Sequence, residues 1–226
     1  MKMHRFMGDF DLSSEKIFSE DKELIHQLRS VLKIGKGEKM ILCDGKGIEA
    51  VFVSVPEGKG MTFIREGSVR SAWTPRKHLT LCLSVPKKEN LEIVVQKATE
   101  LGVSKIIPMI SARTVKTGVR NDRLIKIAKE ASEQSGRGNV PEISDVMSFT
   151  ECLSMDGRKI ILHPDGEKSG EISEADMVFI GPEGGWTDEE LNSAASAAAV
   201  KVCLGPMVMR AETAAIVASF LWSDIG

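Results

Sequence analysis

From residue 1 to about residue 70, short apolar runs alternate with glycine punctuation. Residues 39–44 (KMILCD), 48–55 (IEAVFVSV) and 61–64 fit strands. Gly35-Lys36-Gly37, Gly45-Lys46-Gly47 and Gly58-Lys59-Gly60 separate them as turns, because glycine tolerates positive φ. One helix interrupts over residues 22–32, with Leu24, Ile25, Leu28, Val31 and Leu32 at helical spacing. The pattern predicts a small barrel-like β module. Residues 71–77 (SAWTPRK) follow as a linker.

Beyond the linker the pattern changes. Strands are expected over residues 78–85, 105–110, 159–163, 177–180 and 200–204. Helices are expected over 89–101, stopped by Gly102, and over 122–135, 188–199 and 211–225. Thr187 is the N-cap of the third, and Glu190 the matching capping-box acid. Alternating β and α predicts a parallel sheet covered by helices.

Two strand-to-helix turns in this half share a design. One is VFIGPEGGWTDEEL from Val178, the other VCLGPMVMRAETAAI from Val202. Each is an apolar run, then Gly-Pro, then a helical segment. Parallel α/β sheets bind ligands outside the carboxyl ends of their strands, where Gly181 and Gly205 lie. Gly184 and Gly185 extend the same surface. The pair suggests one pocket lined by main chain, with Met207, Val208 and Met209 as an apolar lid. No G-x-x-x-x-G-K-[ST], G-x-G-x-x-G or G-x-S-x-G occurs, which excludes a Walker cradle, an ordinary dinucleotide fingerprint and a serine elbow.

Composition bounds this picture. With 42% hydrophobic and 27% charged residues, the 226-residue chain fits one large domain or two small ones. No apolar run approaches the length of a membrane span, and MKMHRFMGDFDL lacks the apolar core of a signal peptide. Cys43, Cys82, Cys152 and Cys203 are scattered, as are the four His, so no metal site is expected and the thiols suit a reducing cytoplasm. The net charge is −2, yet residues 85–137 carry 11 Lys/Arg against 6 Asp/Glu, while residues 138–226 carry 5 against 15. Such asymmetry marks either a polyanion-facing side or solvated helix faces.

Five segments are similar to the RsmE family of ribosomal RNA methyltransferases, within the SPOUT (trefoil-knot) superfamily. They are HQLRSVLKIGKGE from His26, LEIVVQKATELGVSKIIPMISART from Leu91, EASEQSGRGNVPEI from Glu130, IGPEGGWTDEEL from Ile180 and LGPMVMRAETA from Leu204. The resemblance implies a PUA-like, RNA-binding β-barrel over 1–72. It implies a SPOUT methyltransferase domain over 73–226, an α/β unit with a deep trefoil knot and a parallel sheet. It further implies a homodimer that uses S-adenosyl-L-methionine to methylate uridine N3 in the decoding region of 16S ribosomal RNA.

The resemblance sets the cofactor among three loops: that after the strand ending at His163, that holding Gly181, Pro182, Gly184 and Gly185, and that holding Leu204, Gly205, Pro206, Met209, Arg210 and Thr213. Backbone atoms of Leu204 and Met209 are the candidates for reading the adenine edge. Methyl transfer to N3 needs a cation near the uracil oxygens, for which Arg210 is the candidate, and a proton acceptor, Glu183 or Glu212. RNA contacts are expected from Lys87, Lys88, Arg113, Lys116, Arg120, Arg123, Gln134 and Arg137, and in the barrel from Arg5, His26, Arg29 and Lys33. Arg29 and Lys33 are expected on one helix face. Departures from the family are Met207, where a basic residue is common, and Lys88 and Asn90, where a glycine and a basic residue are usual. Two rival readings stand beside this one: a non-catalytic RNA-binding or ribosome-assembly factor on the same fold, and a SPOUT methyltransferase with another RNA target.

Overall fold

The computed structural model describes residues 3–86, 88–115, 118–168 and 174–223. The chain divides into two units, Met1–Thr74 with Ser132–Val140, and Pro75–Ala131 with Pro141–Gly226.

The first unit is built on one five-stranded sheet. Its strands are β1 (His4–Met7), β2 (Lys16–Ser19), β3 (Lys39–Cys43), β4 (Ile48–Glu57) and β5 (Gly60–Ser71), in the order β1-β3-β4-β5-β2. β1 runs parallel to β3, and the other pairs are antiparallel. Positive φ at Gly37, Gly45, Gly47 and Gly58 carries the turns that the GKG triplets predict. Phe6, Leu28, Met40, Leu42, Phe52, Met61 and Phe63 form the core on one face. Helix α1 (Lys22–His26) is capped by Asp21, which accepts the Leu24 amide, and continues as a π-helical turn over Gln27–Val31.

Two strands here have no clear sequence signal: β1 and β2 are only four residues each. β5 runs past the expected residue 64 to Ser71, because its second half pairs with the start of β4 beyond a register shift. The shared face expected of Arg29 and Lys33 is corrected: the helical turn ends at Val31 and Lys33 takes a left-handed φ of 56°. The stretch Ser132–Val140 also packs into this unit. Met7 donates its amide to the Glu133 carboxylate at 2.7 Å, Gly138 donates to the Trp73 carbonyl at 2.6 Å, and Gly47 donates to the Gly138 carbonyl at 3.0 Å.

The second unit is an α/β layer structure. Its elements are β6 (Thr80–Ser84), α2 (Lys88–Glu100), β7 (Lys105–Ile110), α3 (Asn121–Ser135, whose last residues from Ser132 belong to the first unit), β8 (Glu142–Ile143), β9 (Met147–Ser148), α4 (Phe149–Leu153), β10 (Lys159–Lys168), β11 (Met177–Ile180), α5 (Asp188–Ser196), β12 (Val200–Cys203) and α6 (Ala211–Trp222). The sheet order is β12-β10-β11-β6-β7-β8, with β9 also on β7, and every pairing is parallel. All residues of β6 and β11 are buried, as expected of parallel strands covered on both faces. Cys82, Ile107, Met109, Phe149, Ile161, Phe179 and Trp186 form one core cluster.

Local chemistry accounts for the helix starts. Thr187 and Ser148 each make a full capping box, with Glu190 and Glu151. The helix ends are less legible. α5 stops at Ser196, three residues before the expected end, and Ala198 adopts a φ of 56° to turn the chain into β12. The short α4, β8 and β9 are absent from the sequence reading. Among the described residues, no helix is long and apolar enough to cross a membrane.

A buried carboxylate organises the first unit. Glu49 is 4% exposed and pairs with the guanidinium groups of Arg5 and Arg70, the latter at 2.8 Å. Removing one partner of a buried pair leaves the other charge without compensation. Glu49→Gln should therefore lower stability by about 3 kcal/mol in urea unfolding; an unchanged midpoint would show that the pair contributes nothing net.

Candidate functional site

The two Gly-Pro loops, at Gly181 and Gly205, leave the carboxyl edge of the sheet on either side of β10. β10 sits between β11 and β12, so the loops after these three parallel strands leave from neighbouring positions on the same edge. The loop expected after His163 is an excursion within β10. Both Leu162 and Glu167 pair with Val202, so residues 163–166 leave the sheet and return. Gly166 makes the return possible: a Cβ there would stand 2.4 Å from the Val202 carbonyl carbon.

Trp186 connects this edge. Its indole Nε1 donates to the Leu162 carbonyl at 3.0 Å, and its ring packs 5.1 Å from that of Phe149. Gly181 lies against the same indole, where a Cβ would stand 2.9 Å from Cε2. The reason for glycine here is thus the tryptophan as well as any ligand. Glu190, 7% exposed, accepts from the Ala112 amide at 2.8 Å and the Thr187 amide at 2.9 Å. It thereby joins the loop after β7 to the start of α5. The loop after β7 is itself pinned: Ser111 and Thr114 exchange bonds of 2.9 and 3.0 Å, and buried Ser84 donates to the Ser111 hydroxyl at 3.0 Å.

In the Gly181–Gly185 loop, the Gly185 amide donates to the Pro182 carbonyl at 2.9 Å and Gly185 has a φ of 70°. In the Leu204–Arg210 loop, the Cys203 thiol donates to the Gly205 carbonyl at 2.9 Å. Nothing lies within 4 Å of the position a Gly205 Cβ would take, so this backbone faces open space. Leu204 and Met209 are half-buried, while Pro206, Met207 and Val208 are exposed. His163 is half-buried, and its Nδ1 accepts the Asp165 amide at 3.1 Å.

Arg210 occupies the N-cap position of α6 and makes no side-chain capping bond. Among the described residues its guanidinium, and the carboxylates of Glu183 and Glu212, make no hydrogen bond or ion pair with protein. Arg210, Glu183 and Thr213 are exposed, and Glu212 is half-buried on the first turn of α6. The edge therefore offers main-chain donors and acceptors, one cation and two carboxylates, all available for a ligand.

Of the RNA-contact expectations, the one for Arg137 needs correction. Arg137 is 1% exposed, so it is buried away from any phosphate, and burial pushes its guanidinium down to about 10. Arg5 is held by Glu49. Arg29 donates to the Gly58 carbonyl at 3.1 Å and also to that of Gly60, bracing the β4–β5 hairpin. Arg113 donates to the carbonyls of Gly184 at 2.7 Å and Trp186 at 3.2 Å. Arg123 pairs with Glu92 at 3.1 Å and Arg120 with Asp122 at 2.9 Å, the latter pair exposed. His26, Lys33 and Gln134 are exposed on the first unit. Lys87 and Lys116 lie outside the described residues, and for Lys88 only the backbone is described, at the start of α2.

Trp186, Glu190, Ser111 and Gly166 are the structural residues of the site that sequence reasoning missed as such. The GGW and TDEE strings carried a signal for the first two, since a tryptophan beside a glycine pair must pack on something. A separate cavity of about 110 Å³, lined by Val85, Pro86, Leu91, Val119 and Leu124, includes none of the glycine-loop residues. No cluster of three His, Cys, Asp or Glu side chains able to hold a metal occurs among the described residues.

Comparison with known proteins gives this edge a context. An RNA methyltransferase domain family matches residues 74–223. The ribosomal RNA small subunit methyltransferase E of Bacillus subtilis is 33% identical over 224 residues, covering 89% of this chain and 87% of the relative. Its Rickettsia conorii counterpart is 31% identical, covering 96% and 94%. Among solved structures, ribosomal RNA small subunit methyltransferase E of Neisseria gonorrhoeae, bound to S-adenosyl methionine, superposes with a TM-score of 0.88 at 29% identity over 100% of both chains. A Legionella pneumophila methyltransferase in complex with SAM gives 0.86 at 27% identity, over 97% and 96%.

The packing of Gly181 on Trp186 is open to a direct test. Gly181→Ala should destabilise the protein by about 1–3 kcal/mol, the usual penalty of overpacking. Chemical denaturation followed by tryptophan fluorescence would measure it, and a variant as stable as the parent would show that the indole can yield.

Proposed function

The chain belongs to the ribosomal RNA small subunit methyltransferase E family, and from that premise we propose that it uses S-adenosyl-L-methionine to methylate N3 of a uridine in the decoding region of small-subunit ribosomal RNA. The observation that carries the reading is the juxtaposition of the β10, β11 and β12 loops at one sheet edge, with open space over Gly205. The fit is chemical as well as spatial. An adenine edge and an amino-acid tail take main-chain hydrogen bonds, which these loops supply. Leu204, Met209 and the exposed Met207 and Val208 offer apolar surface to a flat ring. His163, Gly181, Pro182, Gly184, Gly185, Gly205, Pro206 and Thr213 complete the proposed cofactor surface.

Bound S-adenosyl-L-methionine would supply a methyl group activated by its sulfonium sulfur. This chain's part is alignment and proton handling. Uridine N3 must lose its proton, and each unit by which its pKa exceeds the working pH costs about 1.4 kcal/mol. Arg210, with no partner among the described residues, would face the uracil oxygens and stabilise the anion. Glu183 or Glu212 would accept the proton. Both are unpaired among the described residues, and the choice between them is a kinetic matter.

The finer architecture is part of the same proposal. The first unit is read as a PUA-like RNA-binding barrel over 1–72, and the second as a SPOUT domain over 73–226 with a deep trefoil knot. The knot draws support from the chain path, which goes from β10 to β11 and then crosses back to β12 on the other side of β10. The protein is proposed to act as a homodimer in the cytoplasm. Exposed His26, Lys33, Arg120, Arg123 and Gln134 are the described candidates for RNA contact, with Lys87, Lys88 and Lys116 as expectations from sequence. A second reading, another RNA target, is favoured by Met207, 76% exposed, an uncharged side chain where the family resemblance leads one to expect a cation.

Calorimetry with S-adenosyl-L-methionine should show micromolar binding, and its absence would overturn the enzyme reading in favour of a non-catalytic RNA-binding factor. Mass mapping of small-subunit RNA from cells lacking the protein should find the decoding-region uridine unmethylated at N3. A site still methylated would move the target elsewhere. Arg210→Ala should lower the methylation rate by about 10²–10³ while changing cofactor affinity less. Of Glu183→Gln and Glu212→Gln, the variant that removes the base should lose about 10²–10⁴ in rate; full activity in both would exclude a carboxylate base.

A further inference from the structure

We propose that Arg113 is a positioning residue for the cofactor, acting by pinning the Gly184–Gly185 peptide; the proposal rests on the functional reading above. Two adjacent glycines offer no side chain to resist rotation of the peptide between them. That peptide is nevertheless held at both ends. Its amide, on Gly185, donates to the Pro182 carbonyl at 2.9 Å, and its carbonyl, on Gly184, accepts from Arg113 Nη1 at 2.7 Å. The same nitrogen reaches the Trp186 carbonyl at 3.2 Å. Arg113 therefore holds both ends of the short segment that sets the direction of the Gly185 backbone.

The anchor is itself rigid. The neighbouring Ala112 amide is fixed by buried Glu190 at 2.8 Å, and Ser111 is held by Thr114 and Ser84. Glu190 binds the Thr187 amide as well, so the loop after β7 grips the glycine loop from its carbonyl side through Arg113 and from its helix side through Glu190. A charge-assisted bond to a carbonyl is stronger than a neutral one and suits an exposed position such as this. The Arg113 side chain runs alongside Gly184, at an ordinary contact distance of 3.4 Å from where a Cβ would stand. Loss of the guanidinium would release the peptide to rotate, and a ligand reading this backbone would then have to order it on binding.

The test compares Arg113→Ala and Arg113→Lys with the parent by calorimetry, steady-state kinetics and thermal melting. Arg113→Ala should weaken S-adenosyl-L-methionine binding about tenfold, ~1.4 kcal/mol. At saturating cofactor, kcat should stay within about twofold and the KM for RNA should not change. Arg113→Lys, which keeps one donor, should fall between the two and carries the test if the alanine variant does not fold. Unchanged cofactor affinity in a folded variant would overturn the proposal. So would a raised KM for RNA with a salt slope reduced by about 1, the signature of a phosphate contact. A parent protein that binds no cofactor would overturn the functional reading and this proposal together, whereas a parent that binds and an alanine variant that binds equally would overturn the proposal alone.

Discussion

The contact between the Trp186 indole and Gly181 is the constraint on which the sheet edge depends. The ring fits only because residue 181 has no side chain, and its Nε1 hydrogen bond reaches across to Leu162 on the neighbouring strand. A glycine-rich loop left to itself would sample many conformations. Here the ring anchors the loop after β11 to the strand beside it, and Phe149 closes the packing from α4. Parallel register does the rest, since it brings the ends of β10, β11 and β12 to one edge.

Glu190 shows one residue serving two levels of structure. As the capping-box acid it starts α5, a local role. Its second oxygen binds the Ala112 amide, 78 positions away in sequence. Burial of the carboxylate is tolerable because both oxygens are satisfied by amides. The helix and the loop opposite are thus fixed by the same charge, and Arg113 extends that fixation to the glycine pair.

The arginines teach a related lesson about charge. Arg5, Arg29, Arg113 and Arg137 look, by type and position, like contacts for a polyanion. In the fold they serve Glu49, the hairpin carbonyls of Gly58 and Gly60, the glycine-loop carbonyls, and Asn139 Oδ1 at 3.1 Å. A guanidinium has five donors in a planar fork, and main-chain carbonyls at turns can occupy them. Burial lowers the Arg137 guanidinium to about 10, which still leaves it charged at neutral pH. Arg210 is the contrasting case: exposed at a helix start and without a protein partner among the described residues.

Periodicity and turn chemistry were enough for the parallel α/β unit. Its buried apolar strands, the start of α5 at Thr187, and the placement of Gly181 and Gly205 just past strand ends all follow from local rules that hold in any context. The residue strings at those loops also carried the family. Short elements such as β1, β2, β8, β9 and α4, two to five residues each, escaped because they lack the continuous apolar run that marks β6 and β11. Which side chains face a ligand escaped for a deeper reason. The sequence shows Arg210 next to the Gly205 loop and Arg113 71 residues before Gly184, but hydrogen-bond partners are assigned by distance in space. Only the folded sheet, by setting β7 two strands from β11 and β12 two strands on the other side, decides that one guanidinium braces the loop while the other is left free to act.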